Sequence, residues 1–259
     1  SGSLQATPDG NRLVLRIAGL GIPLEEELRD SLKPGMQQVW NNVQPQGVAD
    51  LDVEIAHVSG DDKFTVNLQA RPRSETTSIK PNCFPYRLER LQGLLTYRDG
   101  HVTLEHFRGE HGNTRVSSEG QCDFFPDGSW RLTLDALDVE RLSVDRELSS
   151  VLPGRLRKAI SEINPSGPIH LHGTFVLGQS GRPGDPLATQ WNLLVGFQQA
   201  SVDFGLRLDN LNGDVRLVGQ CDGDRFSTRG ELDIVSGMYK DFQVTQITGP
   251  LWIDDERIL

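Results

Sequence analysis

The sequence predicts a mainly β protein. Two repeats of about 120 residues, each with one helix, form an elongated and curved antiparallel sheet. Three observations carry this. Apolar and polar residues alternate along most of the chain, the mark of half-buried strands. Tight-turn signals such as Asp99-Gly100 and Pro126-Asp127-Gly128 separate these segments. Finally, phrases recur at a fixed distance. Arg87-Leu88-Glu89-Arg90-Leu91-Gln92-Gly93 returns as Arg207-Leu208-Asp209-Asn210-Leu211-Asn212-Gly213, and 207 − 87 = 120. Glu27 and Glu147, Pro45 and Pro165, and Gly47 and Gly167 are spaced by the same 120.

Residues 1–3, Ser-Gly-Ser, read as a remnant of cloning, and the chain as a piece of a longer protein. The first unit, 4–137, opens with a strand over 11–18, where Leu13, Leu15 and Ile17 share a face. A helix over about 23–43 follows. Pro23 suits a first turn, Glu25, Glu26 and Glu27 suit its dipole, and Leu24, Leu28 and Leu32 share one side. After Pro34-Gly35, Met36, Val39, Trp40 and Val43 continue the amphipathic pattern.

The period then switches to two. Leu51, Val53 and Ile55 form one strand, and Phe64, Val66, Leu68 and Ala70 the next. A short connecting strand is expected over 78–82. Segments 88–97 and 101–107 make a hairpin around Asp99-Gly100, followed by a strand over 114–122. Trp130, Leu132 and Leu134 alternate after it.

The second unit, 138–259, repeats the plan. Its helix over about 142–163 carries Leu148, Leu152 and Ile160. Strands follow around Ile169–Phe175, Trp191–Phe197, Val202 and Phe204, Leu208–Val218, Phe226–Ile234, Tyr239–Ile247 and Leu251–Ile253, with a turn at Ser236-Gly237.

The formal net charge of −10 and the absence of a Lys/Arg cluster disfavour nucleic acid and anionic headgroups as partners. No apolar run approaches the ~20 residues of a membrane helix. Cys83, Cys122 and Cys221 lack the spacing of a zinc site or a disulfide framework.

Little in the sequence points to catalysis. His170 and His172 share a strand face and are a metal-ligand pattern, but no third ligand is placed beside them. His101, His106 and His111 read as surface. The acidic turns Asp61-Asp62, Asp222-Gly223-Asp224 and Asp254-Asp255-Glu256 have neither the EF-hand nor the nonapeptide calcium spacing and read as solvated turns. Nucleotide-binding, metalloprotease and serine-hydrolase motifs are all missing. The expectation is a non-enzyme with no metal and no cofactor.

The regular apolar face is the main feature. In a closed β-sandwich it would be dry core. In an open curved sheet it would line a trough. Periodicity alone leaves both open. The candidates on this face are Leu51, Val53, Ile55, Val66, Leu68, Trp130, Leu132, Leu134, Leu193, Val195, Phe197, Val215 and Leu217. Leu28, Leu32, Trp40, Leu148, Leu152 and Ile160 are candidates for packing the helices on it, or for gating it.

The stretch from Phe84-Pro85-Tyr86-Arg87-Leu88-Glu89-Arg90-Leu91-Gln92-Gly93 through Tyr97-Arg98-Asp99-Gly100-His101 to Phe107-Arg108-Gly109-Glu110-His111-Gly112 resembles the repeats of the AsmA/TamB-like superfamily. Leu208–Gly213 and Val244–Leu251 are similar in style. The resemblance implies a cell-envelope protein of a Gram-negative-type bacterium, with its full-length form anchored in the inner membrane. It also implies a periplasmic, taco-shaped sheet whose interior carries phospholipid or other acyl-chain lipid between membranes, with envelope proteins as possible partners. The helices in each unit depart from many such repeats. The rival expectation is a scaffold that binds a protein partner through its sheet edges.

Overall fold

The structure is a computed structural model. It describes residues 1–7, 10–32, 34–59, 64–82, 84–152, 154–182, 184–203, 205–222 and 225–254. The expected turns at 61–62 and 223–224, together with Cys83, Phe204 and 255–256, lie outside the described residues.

The strands are β1 (Gly2–Thr7), β2 (Gly10–Pro23), β3 (Val48–Val58), β4 (Phe64–Pro72), β5 (Glu89–Arg98), β6 (His101–His111) and β7 (Thr114–Phe124), then β8 (Trp130–Leu142), β9 (Ile169–Gln179), β10 (Ala188–Asp203), β11 (Arg207–Asp222), β12 (Arg225–Tyr239) and β13 (Phe242–Asp254). They form one antiparallel, 13-stranded sheet in strict chain order, curved and not closed into a barrel. The closed sandwich is therefore not what forms, because the described strands all belong to a single sheet.

The hairpin around Asp99-Gly100 is present. Both residues have positive φ, 48° and 91°, the geometry that matches the twist of the flanking strands. A second feature recurs at the 120-residue spacing. Arg90 (φ 52°) and Asn210 (φ 50°) each sit in a β-bulge, followed by Gly93 (φ 121°) and Gly213 (φ 146°). Further bulges break the register between β6 and β7, β7 and β8, β8 and β9, and β10 and β11. Each inserts a residue, bends its strand and raises the local twist, so successive bulges give the sheet its curvature.

Each helical segment is a pair of short helices. These are α1 (Glu26–Ser31) with α2 (Pro34–Val43), and α3 (Arg146–Val151) with α4 (Gly154–Ile163), the second pair displaced by 120 from the first. Leu32 and Leu152 are extended, with ψ 157° and 144°. Pro153 favours this at Leu152, and Pro34 can only open a new helix. Pro23 and Leu142 end strands rather than open helices.

Other boundaries also move. Gly2 and Ser3 pair with Leu15 and Val14 as part of β1. The expected strand at 78–82 is reduced to isolated bridges, Gln46 to Ser78 and Ile79 to Leu88. Ser236-Gly237 lies within β12, and the chain turns instead at Lys240-Asp241, where Lys240 has φ 53°. The segments around Trp191–Phe197 and Val202 are one bulged strand, and Leu251–Ile253 is the end of β13.

Candidate functional site

Residues opposite one another in adjacent strands project to the same face. Tracing partners across the sheet therefore shows what each face carries. One row runs Ile17, Val53, Leu68, Tyr97, Val102, Cys122, Leu132, Leu177, Thr189, Cys221, Phe226, one residue from each strand β2 to β12. The neighbouring row runs Leu51, Ala70, Leu95, Leu104, Gly120, Leu134, Phe175, Trp191, Gly219, Thr228. In the second half, Val139, Leu171, Val195, Val215 and Leu232 make a further row. This face, termed inner below, is a largely apolar strip, broken by Thr189 and Thr228 in its second half.

Every strand residue singled out in the sequence lies on it. Leu51, Val53 and Ile55 oppose Ala70, Leu68 and Val66. Trp130, Leu132 and Leu134 alternate along β8 on the same face, where Leu132 and Leu134 oppose Cys122 and Gly120 of β7. Leu193 and Val195 oppose Leu217 and Val215, and Phe197 continues the same alternation. Val66, Trp130 and Val215 are buried, and the others are half-buried.

Two parts of the strip are filled by the chain itself. Met36 of α2 packs with Tyr97 and Val102, joined by Leu32, Leu68, Leu95, Leu104, Cys122 and Phe124. Val102 is only 3% exposed. In the second half Ile163 of α4 packs on Val202, Leu211, Val215 and Ile234 with their neighbours. Of the helix candidates, Leu32 joins this packing and Leu148 is buried on α3, while Leu28, Trp40, Leu152 and Ile160 are half-buried. The α4 residue set against the second cluster is Ile163 rather than Ile160.

Toward β1 the strip is uncovered. Leu4, Leu13, Leu15, Ile17 and Phe64 lie on the inner face, since Leu4 opposes Leu13, Leu15 opposes Ile55, and His57 opposes both Leu13 and Phe64. All five are exposed, Leu4 at 69% and Ile17 at 51%. Alternation in the sequence marks Leu13, Leu15, Ile17 and Phe64 as one-sided. It gives no sign that α2 packs over Leu68, Tyr97, Val102 and Cys122 and leaves the residues toward β1 open.

The outer face is polar and ion-paired. Arg16 meets Glu54 at 2.8 Å, Arg71 meets Asp52 at 2.9 Å, and His101 meets Asp123 at 2.6 Å. His170 and His172 also lie there, and both approach Asp138 Oδ2, at 3.2 and 3.4 Å. Among the described residues, no three His, Cys, Asp or Glu side chains are arranged to hold a metal ion. His111 is less exposed than a surface residue. Its ring packs on Tyr86 with centroids 3.9 Å apart and the planes tilted by 34°, and its Nε2 lies 3.4 Å from Glu147 of α3. Burial is the main cause that raises the Tyr86 hydroxyl above its ordinary pKa. Asp50 shifts the other way. It accepts from the Gly21 amide at 2.7 Å and meets Arg73 at 2.8 Å, which together lower its pKa.

No family model, curated protein or solved structure matches the chain.

Proposed function

We propose that this chain is a non-catalytic, lipid-binding segment of an AsmA/TamB-like cell-envelope protein, and that its inner face holds acyl chains. The observation that supports this is the apolar strip that runs across the strands of a single open sheet and stays uncovered at Leu4, Leu13, Leu15, Ile17 and Phe64. Strands spaced by about 4.8 Å make the β2–β12 row about 48 Å long. A lipid tail is about 15 Å, half of a bilayer's hydrocarbon core, so the row exceeds one tail. Burial of an alkyl chain gains ~0.8 kcal/mol per methylene, and lipid is held here without headgroup contacts. The acidic chain, with its ion-paired outer face, suits water on that side. In this reading the protein works in the periplasm and is anchored in the inner membrane outside this segment. No helix among the described residues is long and apolar enough to cross a membrane.

The test is native mass spectrometry of protein purified from bacterial cells, followed by lipid extraction. Co-purified phospholipid that is lost in a folded Val53→Asp variant supports the proposal. A lipid-free protein overturns it.

The packing of Met36 on Tyr97 and Val102 favours a second reading. Here the helices complete an ordinary core, and the sheet is a scaffold offering its β1 and β13 edges to an envelope protein. In that case Val53→Asp and Val195→Asp unfold a protein that never carried lipid.

A further inference from the structure

The outer face of β9 to β13 differs from the rest of that face. A depression of about 750 Å³ lies there. Two adjacent cross-strand rows build it: Val176, Gln190, Gln220, Ser227, and Thr174, Asn192, Val218, Arg229, Trp252. The outer face elsewhere carries charge pairs, whereas this patch carries amides and hydroxyls around the indole of Trp252; Trp191, Gly219 and Thr228 of the inner rows complete the lining. Trp252 is 51% exposed. Among the described residues, the side-chain amides of Gln190, Asn192 and Gln220 make no hydrogen bond within the protein, and Arg229 has no ion-pair partner.

We propose that this depression binds a neutral oligosaccharide. A pyranose ring has an apolar C–H face and a rim of hydroxyls that both donate and accept. An exposed indole gives a flat apolar surface for the first. Amides both donate and accept, and so match the second. The guanidinium of Arg229 adds a planar fork of donors beside the indole, since Arg229 and Trp252 are direct cross-strand partners. The strands hold these groups at fixed spacings, so little ordering is needed on binding. None of the lining residues is a carboxylate, and the amides among them would be poor partners for an acyl chain. The groups that would meet the sugar, Gln190, Asn192, Gln220, Arg229 and Trp252, all lie on the outer face, so their substitution tests this site separately from the lipid reading.

The experiment is calorimetric titration of the intact protein with maltohexaose, cellohexaose and chitohexaose at up to millimolar sugar. The proposal expects saturable binding of at least one of them. It expects Trp252→Ala and Asn192→Ala each to weaken that binding by about tenfold, and Trp252→Phe to retain most of it. Circular dichroism checks that each variant is folded. No binding of any of the three sugars overturns the proposal, as does binding that is unchanged in folded Trp252→Ala and Asn192→Ala.

Discussion

The side-chain amide of Gln38 donates a 3.0 Å hydrogen bond to the backbone carbonyl of Gly128. Gln38 is on α2 and Gly128 is in the turn between β7 and β8, so this bond ties the first helix pair to strands 90 residues further on. It holds α2 over the inner face where Met36 meets Tyr97. Gln38→Ala should cost about 1 kcal/mol, the usual worth of a partly buried hydrogen bond. Hydrogen exchange should show faster opening of α2 with the strands unchanged. In the lipid reading, lipid binding should rise or stay level in this variant.

Gly93 and Gly213 lie at two of the bulges that curve the sheet, and both positions exclude a side chain. A Cβ at Gly213 would lie 2.4 Å from the Asp233 carbonyl, and one at Gly93 would lie 2.8 Å from the Glu105 carbonyl. Both glycines also have positive φ. Gly93→Ala and Gly213→Ala should each destabilise by about 1–3 kcal/mol, read from urea midpoints. Gly112 also has positive φ but nothing within 4 Å of its Cβ position, so Gly112→Ala should cost less.

Among the described residues, Leu91 is the most enclosed large side chain, at 2% exposure. Leu91→Ala leaves a cavity and should cost about 2–5 kcal/mol. Leu15→Ala, on the open part of the inner face, should change stability by less than about 0.5 kcal/mol. The two midpoints, measured side by side, separate own-core packing from open surface on a single sheet.

Asp50 gives a pH dependence with a definite sign. The Gly21 amide and then Arg73 lower its pKa from an ordinary 3.8. A lowered carboxylate stabilises the fold fully above its unfolded value. That contribution fades as pH falls from about 3.8 through the lower, folded value. Asp50→Asn should therefore be less stable than the parent at pH 6, with the gap closing below pH 3.8. A thermal melting series across that range checks it.

Much of the fold was legible in local pattern. Leu51, Val53 and Ile55 alternate, Asp99-Gly100 turns, and the 120-residue echo of Arg87–Gly93 announces two similar stretches. What escaped was what local pattern does not encode. Bulges let β8, β10 and β12 run on through breaks in alternation, as between Leu134 and Leu137, so Ser236-Gly237 resembled a turn while lying inside a strand. Lys240-Asp241 turns without glycine. The inner-face residues were readable because antiparallel register preserves alternation from strand to strand. Which of them the helices cover was not, because that depends on where α2 and α4 dock. The uncovered set at Leu4, Leu13, Leu15, Ile17 and Phe64 emerges only from that docking. The outer depression depends on Gln190, Asn192, Gln220 and Trp252 meeting from three different strands, and no spacing in the sequence signals it.

The central claim is that lipid meets the inner face and only that face. Leu15 and Arg16 are neighbours on β2 that point to opposite sides, and both are exposed. A photo-crosslinking amino acid placed at each position in turn, in living bacterial cells, compares the two faces within one strand. The account predicts lipid adducts from position 15 and none from position 16. Equal adducts at both positions, adducts only at 16, or none at either would contradict it.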